Sequence, residues 1–250
     1  MRAQITDAVK HLLIINVIMF LGTYLVGNRE MFYEWFALFF PKNPLFEPWQ
    51  IITHMFMHGD FMHILFNMFA LWMFGTAVEQ IFGTKKFLIF YLLSGLGAAV
   101  IQIAYLYFQY NTGLSALIEA GISQTEVANI IAEGKYDQRW VTILGDGWDN
   151  FRNAINTTMV GASGAIMGVL VAFGMLYPES KLMLIFLPIP IKAKYFIPGI
   201  ILLDLFSAIT GQSIFSPSNT AYVAHLGGAL TGFLLMYFWK KNERDKYRWN

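Results

Sequence analysis

Two residues carry most of the chemical information in this chain: Ser163, in Gly161-Ala162-Ser163-Gly164, and His225, in Ala224-His225-Leu226-Gly227-Gly228. Each sits inside a long apolar stretch. A polar side chain is costly in hydrocarbon, so a hydroxyl and an imidazole placed there point to function before packing. The chemistry such a pair can run is acyl transfer, with the imidazole taking the hydroxyl proton and the serine oxygen attacking a carbonyl. Negative charge then develops on the carbonyl oxygen and needs donors. His63, Asn67 and the backbone N–H of Ser163 are the candidates.

The elements that must position these groups are membrane helices. Hydrophobic residues make up 56% of the 250-residue chain and charged residues 13%, with a mean hydropathy of +0.50, far from the quarter-charged average of a soluble domain. The chain therefore reads as an all-α integral membrane protein. A net charge of +1 leaves no basic face for nucleic acid. The absence of cysteine removes disulfides, thiolate metal sites and a cysteine nucleophile.

Six apolar segments stand out: Leu12–Val26, Met62–Phe82, Phe87–Phe108, Met159–Tyr177, Phe196–Thr210 and Ala221–Trp239. Most approach the ~20 residues needed to cross a bilayer, the first and fifth being short. The first follows Arg2 and Lys10 as a signal sequence would. No small-residue cleavage site follows at Gly27-Asn28-Arg29-Glu30, so it reads as a retained span. An even number of spans puts both termini on one side, and twelve Lys and Arg fall on that side against five opposite, which places the termini in the cytoplasm. Of the outer connections, 27–60 mixes prolines with Trp35, Phe39, Phe40 and Trp49, as suits a structured element at the interface. Residues 109–158 are polar and hold a capping-box pattern, Ser123-Gln124-Thr125-Glu126, ahead of a run that stops at Gly134, which predicts a helical insertion between spans three and four.

Depth then brings the polar residues together. Ser163 lies about four residues into span four and His225 about four into span six, each roughly 6 Å below the outer boundary at ~1.5 Å per residue. His63 and Asn67 fall in the first turns of span two. Gly161, Gly164, Gly168 and Ala172 on span four face a matching set on span six, Ala221, Ala224, Gly228, Ala229 and Gly232, a spacing that lets two helix backbones approach closely. Asp204 is the one acidic residue well inside a span, and its count from the helix end puts it ~10 Å deep. Nearly one helical turn thus separates it from His225, and the expectation is a neutral acid bonded to a neighbouring helix, with no share in the reaction.

Plainer readings exist for each signal. A serine among glycines in a membrane helix usually serves packing. His54 and His58, four apart, could hold a metal, but no His-Glu-x-x-His pattern accompanies them. Gly161-Ala162-Ser163-Gly164-Ala165 is not the hydrolase elbow, since its fifth residue is alanine and no strand precedes it.

Taken together, the pieces resemble the rhomboid intramembrane serine proteases: His58-x4-His63-x3-Asn67 at the second span, Gly-x-Ser-Gly at Ser163, Ala224-His225-Leu226-Gly227-Gly228 in the sixth, and Gly75-Thr76-Ala77-Val78-Glu79 at the inner end of span two. The resemblance covers all six spans and omits only 109–158. It implies a single rhomboid-like membrane domain over 1–250, a six-transmembrane-helix bundle with a structured first outer loop and an extra outer helical insertion. It further implies hydrolysis of peptide bonds in or beside the transmembrane segments of single-span or multi-span membrane proteins, by a Ser163–His225 dyad with no acidic third member, no cofactor and no metal. His63 and Asn67 match the residues that help form the oxyanion hole, and His58 matches a more structural histidine. Gly161, Gly164 and Gly228 shape the site. Met167 stands where an aromatic residue often stacks on the catalytic ring, and its thioether can contact that ring instead. Substrate is expected to enter from the lipid bilayer past a mobile fifth span, in a bacterial inner membrane.

Two other readings compete. A non-catalytic rhomboid-like protein that binds or escorts clients would not need Ser163, His225, His63 and Asn67 together. A proton-coupled transporter relaying through His225, Asp204 and Glu79 would be expected to show repeated halves with broken helices, and the sequence has none.

Overall fold

The computed structural model describes residues 5–26, 28–184, 187–212 and 221–246. Arg2, Gly27 and Arg248, used in the charge count and the cleavage-site reading, lie outside them. The chain opens with α1 (Asp7–Leu25). Its first connection folds as α2 (Arg29–Phe36), the two-residue strand β1 (Leu38–Phe39), the single turn α3 (Gln50–Thr53) and a 3-10 turn at His54–Phe56. Then α4 (Phe61–Ala70) runs through a π-helical turn, Leu71–Gly75, into α5 (Thr76–Phe82). Gly83, at a φ of 73° that disfavours any side chain, reverses the chain into α6 (Thr84–Glu119). Three short helices follow, α7 (Gln124–Ala132), α8 (Gln138–Leu144) and α9 (Trp148–Asn156), and then β2 (Thr158–Met159). The helix α10 (Ser163–Leu176), the hairpin strands β3 (Lys181–Leu184) and β4 (Leu187–Lys192), α11 (Ala193–Thr210) and α12 (Tyr222–Lys246) complete the order.

The protein is an all-α membrane bundle. Among the described residues, five helical stretches are long and apolar enough to cross a membrane: α1, α4 with α5 (Phe61–Phe82), α6, α11 and α12 (Tyr222–Trp239). The sixth differs from the sequence expectation. Helix α10 has 14 residues, about 21 Å at ~1.5 Å per residue, and starts at Ser163 itself. Residues 160–162 approach it as irregular backbone after β2. Non-helical backbone at membrane depth is tolerated where protein covers it, and α10 is buried on nearly every side, from Gly164 through Phe173.

Glycine decides the centre. Helices α6, α10 and α12 pack on one another so closely that a Cβ on Gly228 would collide with the Gly164 carbonyl, and one on Gly232 would lie 2.5 Å from the Gly168 Cα. On the α6 side, a Cβ on Gly97 would strike the Thr231 side chain and one on Gly168 the Ser94 side chain. Around this triple contact lies the main core, with Leu71, Phe74, Phe87, Phe90, Val169 and Ala229 among its members. Glu79, assigned to a relay by the transporter reading, instead caps α1. Its carboxylate accepts the N–H groups of Ala8 (2.9 Å) and Val9 (3.0 Å) and the hydroxyls of Thr6 and Thr84, satisfying donors that a helix start leaves free.

At the other end, α6 continues eleven residues beyond Phe108 and becomes the support on which α7–α9 fold. The Ser123 hydroxyl accepts the Glu126 N–H as the capping pattern predicts, and Gly134, at φ 67°, follows the end of the helix. A second core forms from Tyr110, Leu117, Trp140 and Phe151 of this region together with Phe40 of the first connection. Phe40 reaches Tyr107 at 4.7 Å between ring centroids, and Tyr110 stacks on Phe151 at 5.4 Å. The strands join the same two regions, with Leu38 opposite Met159 and Phe39 opposite Thr158 in an antiparallel pair. The first connection is organised internally by a buried Gln50, which donates to the carbonyls of Glu34 (2.8 Å) and Leu45 (2.9 Å) and accepts from the Glu47 N–H (3.1 Å).

Gly228→Ala is expected to destabilise the protein by about 1–3 kcal/mol or more, because overpacking here meets backbone rather than a movable side chain. In α11, Gly199→Ala meets nothing within 4 Å and is expected to leave stability unchanged or raise it slightly. Thermal unfolding of both variants in detergent checks the contrast.

Candidate active site

Ser163 is the first residue of α10 and His225 lies in the first turn of α12. The close approach of the two helices closes the gap between them: His225 Nε2 stands 2.8 Å from Ser163 Oγ. Because α10 begins at Ser163, the N–H groups of its first turn have no helical acceptor and carry the positive end of the helix dipole. The nucleophile candidate therefore sits beside free backbone donors.

Gly161 opens this corner. Its φ of 123° disfavours a side chain, and a Cβ there would lie 2.7 Å from His63 Nε2 and 3.7 Å from Asn67 Nδ2. Its N–H donates to the His54 carbonyl at 2.9 Å, which fixes the loop that delivers Ser163. His63 and Asn67 thus lie close to the backbone just before the serine. Asp60 caps α4 by accepting the His63 N–H at 2.9 Å, setting the start of the helix that carries both residues. The Gly59 N–H donates to His63 Nδ1 at 3.3 Å, so the proton of the neutral ring sits on Nε2, the nitrogen beside Gly161. Asn67 Nδ2 is buried with no hydrogen-bond partner among the described residues. Two side-chain donors and the first turn of α10 consequently converge where a carbonyl oxygen next to Ser163 would gain charge.

His58 is fully buried behind this corner, its ring edge-on to His63 at 5.0 Å between centroids. His54 donates from Nδ1 to the Gln50 carbonyl at 2.8 Å. Both are accounted for as supports of the loop and of His63. Gly164 and Gly228 lie in the helix contact already described, and Met167 is buried in the main core. A cavity of about 690 Å³ opens over Ser163 and His225, with Arg29, Tyr33 and Asp60 among the residues that line it. Arg29 donates to the Gly59 carbonyl at 3.0 Å and lies over the Tyr24 and Tyr33 rings.

One sequence expectation is corrected. Asp204 does not sit a turn away from His225: its Oδ2 is 3.0 Å from His225 Nδ1, with side-chain exposures of 8% and 14%. The counted difference in depth, ~4 Å at ~1.5 Å per residue, is a backbone difference that an aspartate and a histidine side chain span between them. The role of the loop His54–Asp60 was also missed in the sequence, apart from His58. An Asp directly before a helical run was the available signal for its cap.

Burial holds His54 down to about 4 and His58 down to about 3, from an ordinary value of 6.5. Between pH 6.5 and those values the unfolded chain binds protons that the folded protein does not. Stability is therefore full above pH 6.5 and falls as pH drops, by up to about 1.4 kcal/mol per pH unit for each histidine. The unfolding temperature in detergent is expected to decline from pH 7 to pH 4.5, and less steeply in His58→Gln.

A family model for the Rhomboid domain matches residues 45–145 and 140–242, two stretches that meet within the α8 region. With most of the chain matched and the bundle arranged around one serine and one histidine, this protein belongs to the rhomboid family.

Proposed function

We propose that this rhomboid protein is an intramembrane serine endopeptidase that cleaves peptide bonds in or next to the transmembrane segments of other membrane proteins. The observation that carries the reading is the 2.8 Å contact of Ser163 Oγ with His225 Nε2, two residues that line one cavity together with His63. His225 takes the Ser163 proton as Oγ bonds to the scissile carbonyl carbon. The oxyanion receives the Ser163 N–H, His63 Nε2–H and Asn67 Nδ2–H. When the C–N bond breaks, His225 returns the proton to the leaving amine, and a water activated by the same ring hydrolyses the acyl-enzyme. The cavity supplies a path for that water into an otherwise apolar bundle.

The substrates are single-span or multi-span membrane proteins that reach the cavity from the bilayer. The charge distribution supports cytoplasmic termini, with the insertion α7–α9 on the far side of a bacterial inner membrane.

In proteoliposomes with a single-span substrate bearing small, helix-weakening residues near its outer end, wild type is expected to cleave. Ser163→Ala and His225→Ala are expected to fall to background while remaining folded. A fluorophosphonate probe is expected to label wild type and not Ser163→Ala. No cleavage and no labelling of a folded wild type would instead identify a client-binding, non-catalytic member.

His63→Ala and Asn67→Ala are each expected to lower kcat by roughly 10²–10³ without abolishing it, as loss of one oxyanion donor does. Full turnover by both variants at matched stability would refute their assignment.

A further inference from the structure

We propose that Asp204 is the positioning residue of this site, orienting His225 so that Ser163, His225 and Asp204 act as one hydrogen-bonded series. The inference rests on the protease reading above and departs from the dyad that the family resemblance implies.

His225 has two ring nitrogens, and each has a partner: Nε2 lies 2.8 Å from Ser163 Oγ and Nδ1 lies 3.0 Å from Asp204 Oδ2. The neutral ring carries one proton. If it sits on Nε2, the ring donates toward Ser163 and cannot take the hydroxyl proton, so the serine has no base. If it sits on Nδ1, the ring donates to the Asp204 carboxylate and leaves the Nε2 lone pair facing Oγ–H. An ionised Asp204 selects the second arrangement and stabilises the imidazolium that forms when Ser163 attacks. Asp204 takes up no proton in this scheme; during acylation the proton runs from Oγ to Nε2 and then to the leaving amine.

Burial strengthens the contact. Side-chain exposures of 8% and 14% leave little water to compete for either partner. The partners come from different helices, α11 and α12, 21 residues apart, so no local helix geometry forces the contact. Among the described residues, the other groups around His225 are these. His63 on α4 is within electrostatic reach, α10 offers the Ser163 hydroxyl, and α6 lines the cavity with Gly95 and Ala98. His54, Asp60 and Arg29 line the same cavity.

The test compares wild type with Asp204→Asn and Asp204→Leu at matched folded fraction, using the single-span substrate and the fluorophosphonate probe. Leucine suits an apolar helix, so it guards against a variant that merely fails to fold. The expected result is a loss of about a hundredfold in kcat for both variants, KM within threefold, and slower labelling of Ser163. A kcat loss smaller than tenfold, or a loss carried by KM with labelling of Ser163 unchanged, overturns the inference, the latter because a helix-to-helix hydrogen bond alone leaves the reactivity of Ser163 where it was. Absence of cleavage and of labelling in wild type overturns the protease reading and this inference with it, whereas an active wild type with unaffected variants overturns only the role of Asp204.

Discussion

The contact of α10 with α12 through glycine is the constraint on which the rest depends. A serine side chain reaches barely past its own Cβ, so a hydrogen bond from Ser163 to a ring on another helix requires the two backbones almost to touch. Gly164, Gly168, Gly228 and Gly232 provide that approach, with Gly97 of α6 meeting the adjoining stripe of α12 at Gly227 and Thr231. In lipid no hydrophobic force draws helices together, and close van der Waals packing takes its place. The residues that hold the bundle at its centre are therefore also the ones that set the 2.8 Å distance.

A short α10 follows from the same geometry. The helix starts at Ser163, inside the bundle, which leaves N–H groups of its first turn without helical acceptors beside that side chain, and the preceding chain arrives without helical hydrogen bonds. Those backbone groups find partners elsewhere: Gly161 on the His54 carbonyl and Met159 in the strand pair with Leu38. The first connection, with its buried Gln50, and the helices α7–α9 resting on the extended α6 thus hold the loop from both sides. The cavity lined by Ser163 and His225 also borders Arg29 and Tyr33 of the first connection.

The polar groups of the site are fixed in chemical state as well as in place. Asp60 caps α4 and presents His63, the Gly59 N–H puts the His63 proton on Nε2, and burial keeps His54 and His58 neutral. Asp204 comes from α11, so the orientation of the His225 ring and the packing of α11 against α12 are a single constraint.

Much of this was legible in the chain. Apolar segments of near-spanning length dictate membrane helices because hydrocarbon leaves backbone groups no other partners. Small residues at helical spacing on the fourth and sixth segments foretell their contact, and the capping pattern at Ser123 foretells α7 because both its partners are local. What the sequence misjudged was non-local. The start of α10 at Ser163 depends on the His54 carbonyl more than a hundred positions earlier in the chain, and a 19-residue apolar run gives no sign that its first four residues are not helical. The Asp204 contact depends on which faces α11 and α12 turn to each other and on how far two side chains reach, which residue counts from the helix ends do not contain. Sequence determines which residues are costly to bury and which helices can approach; only the packed bundle decides which nitrogen of His225 faces which oxygen.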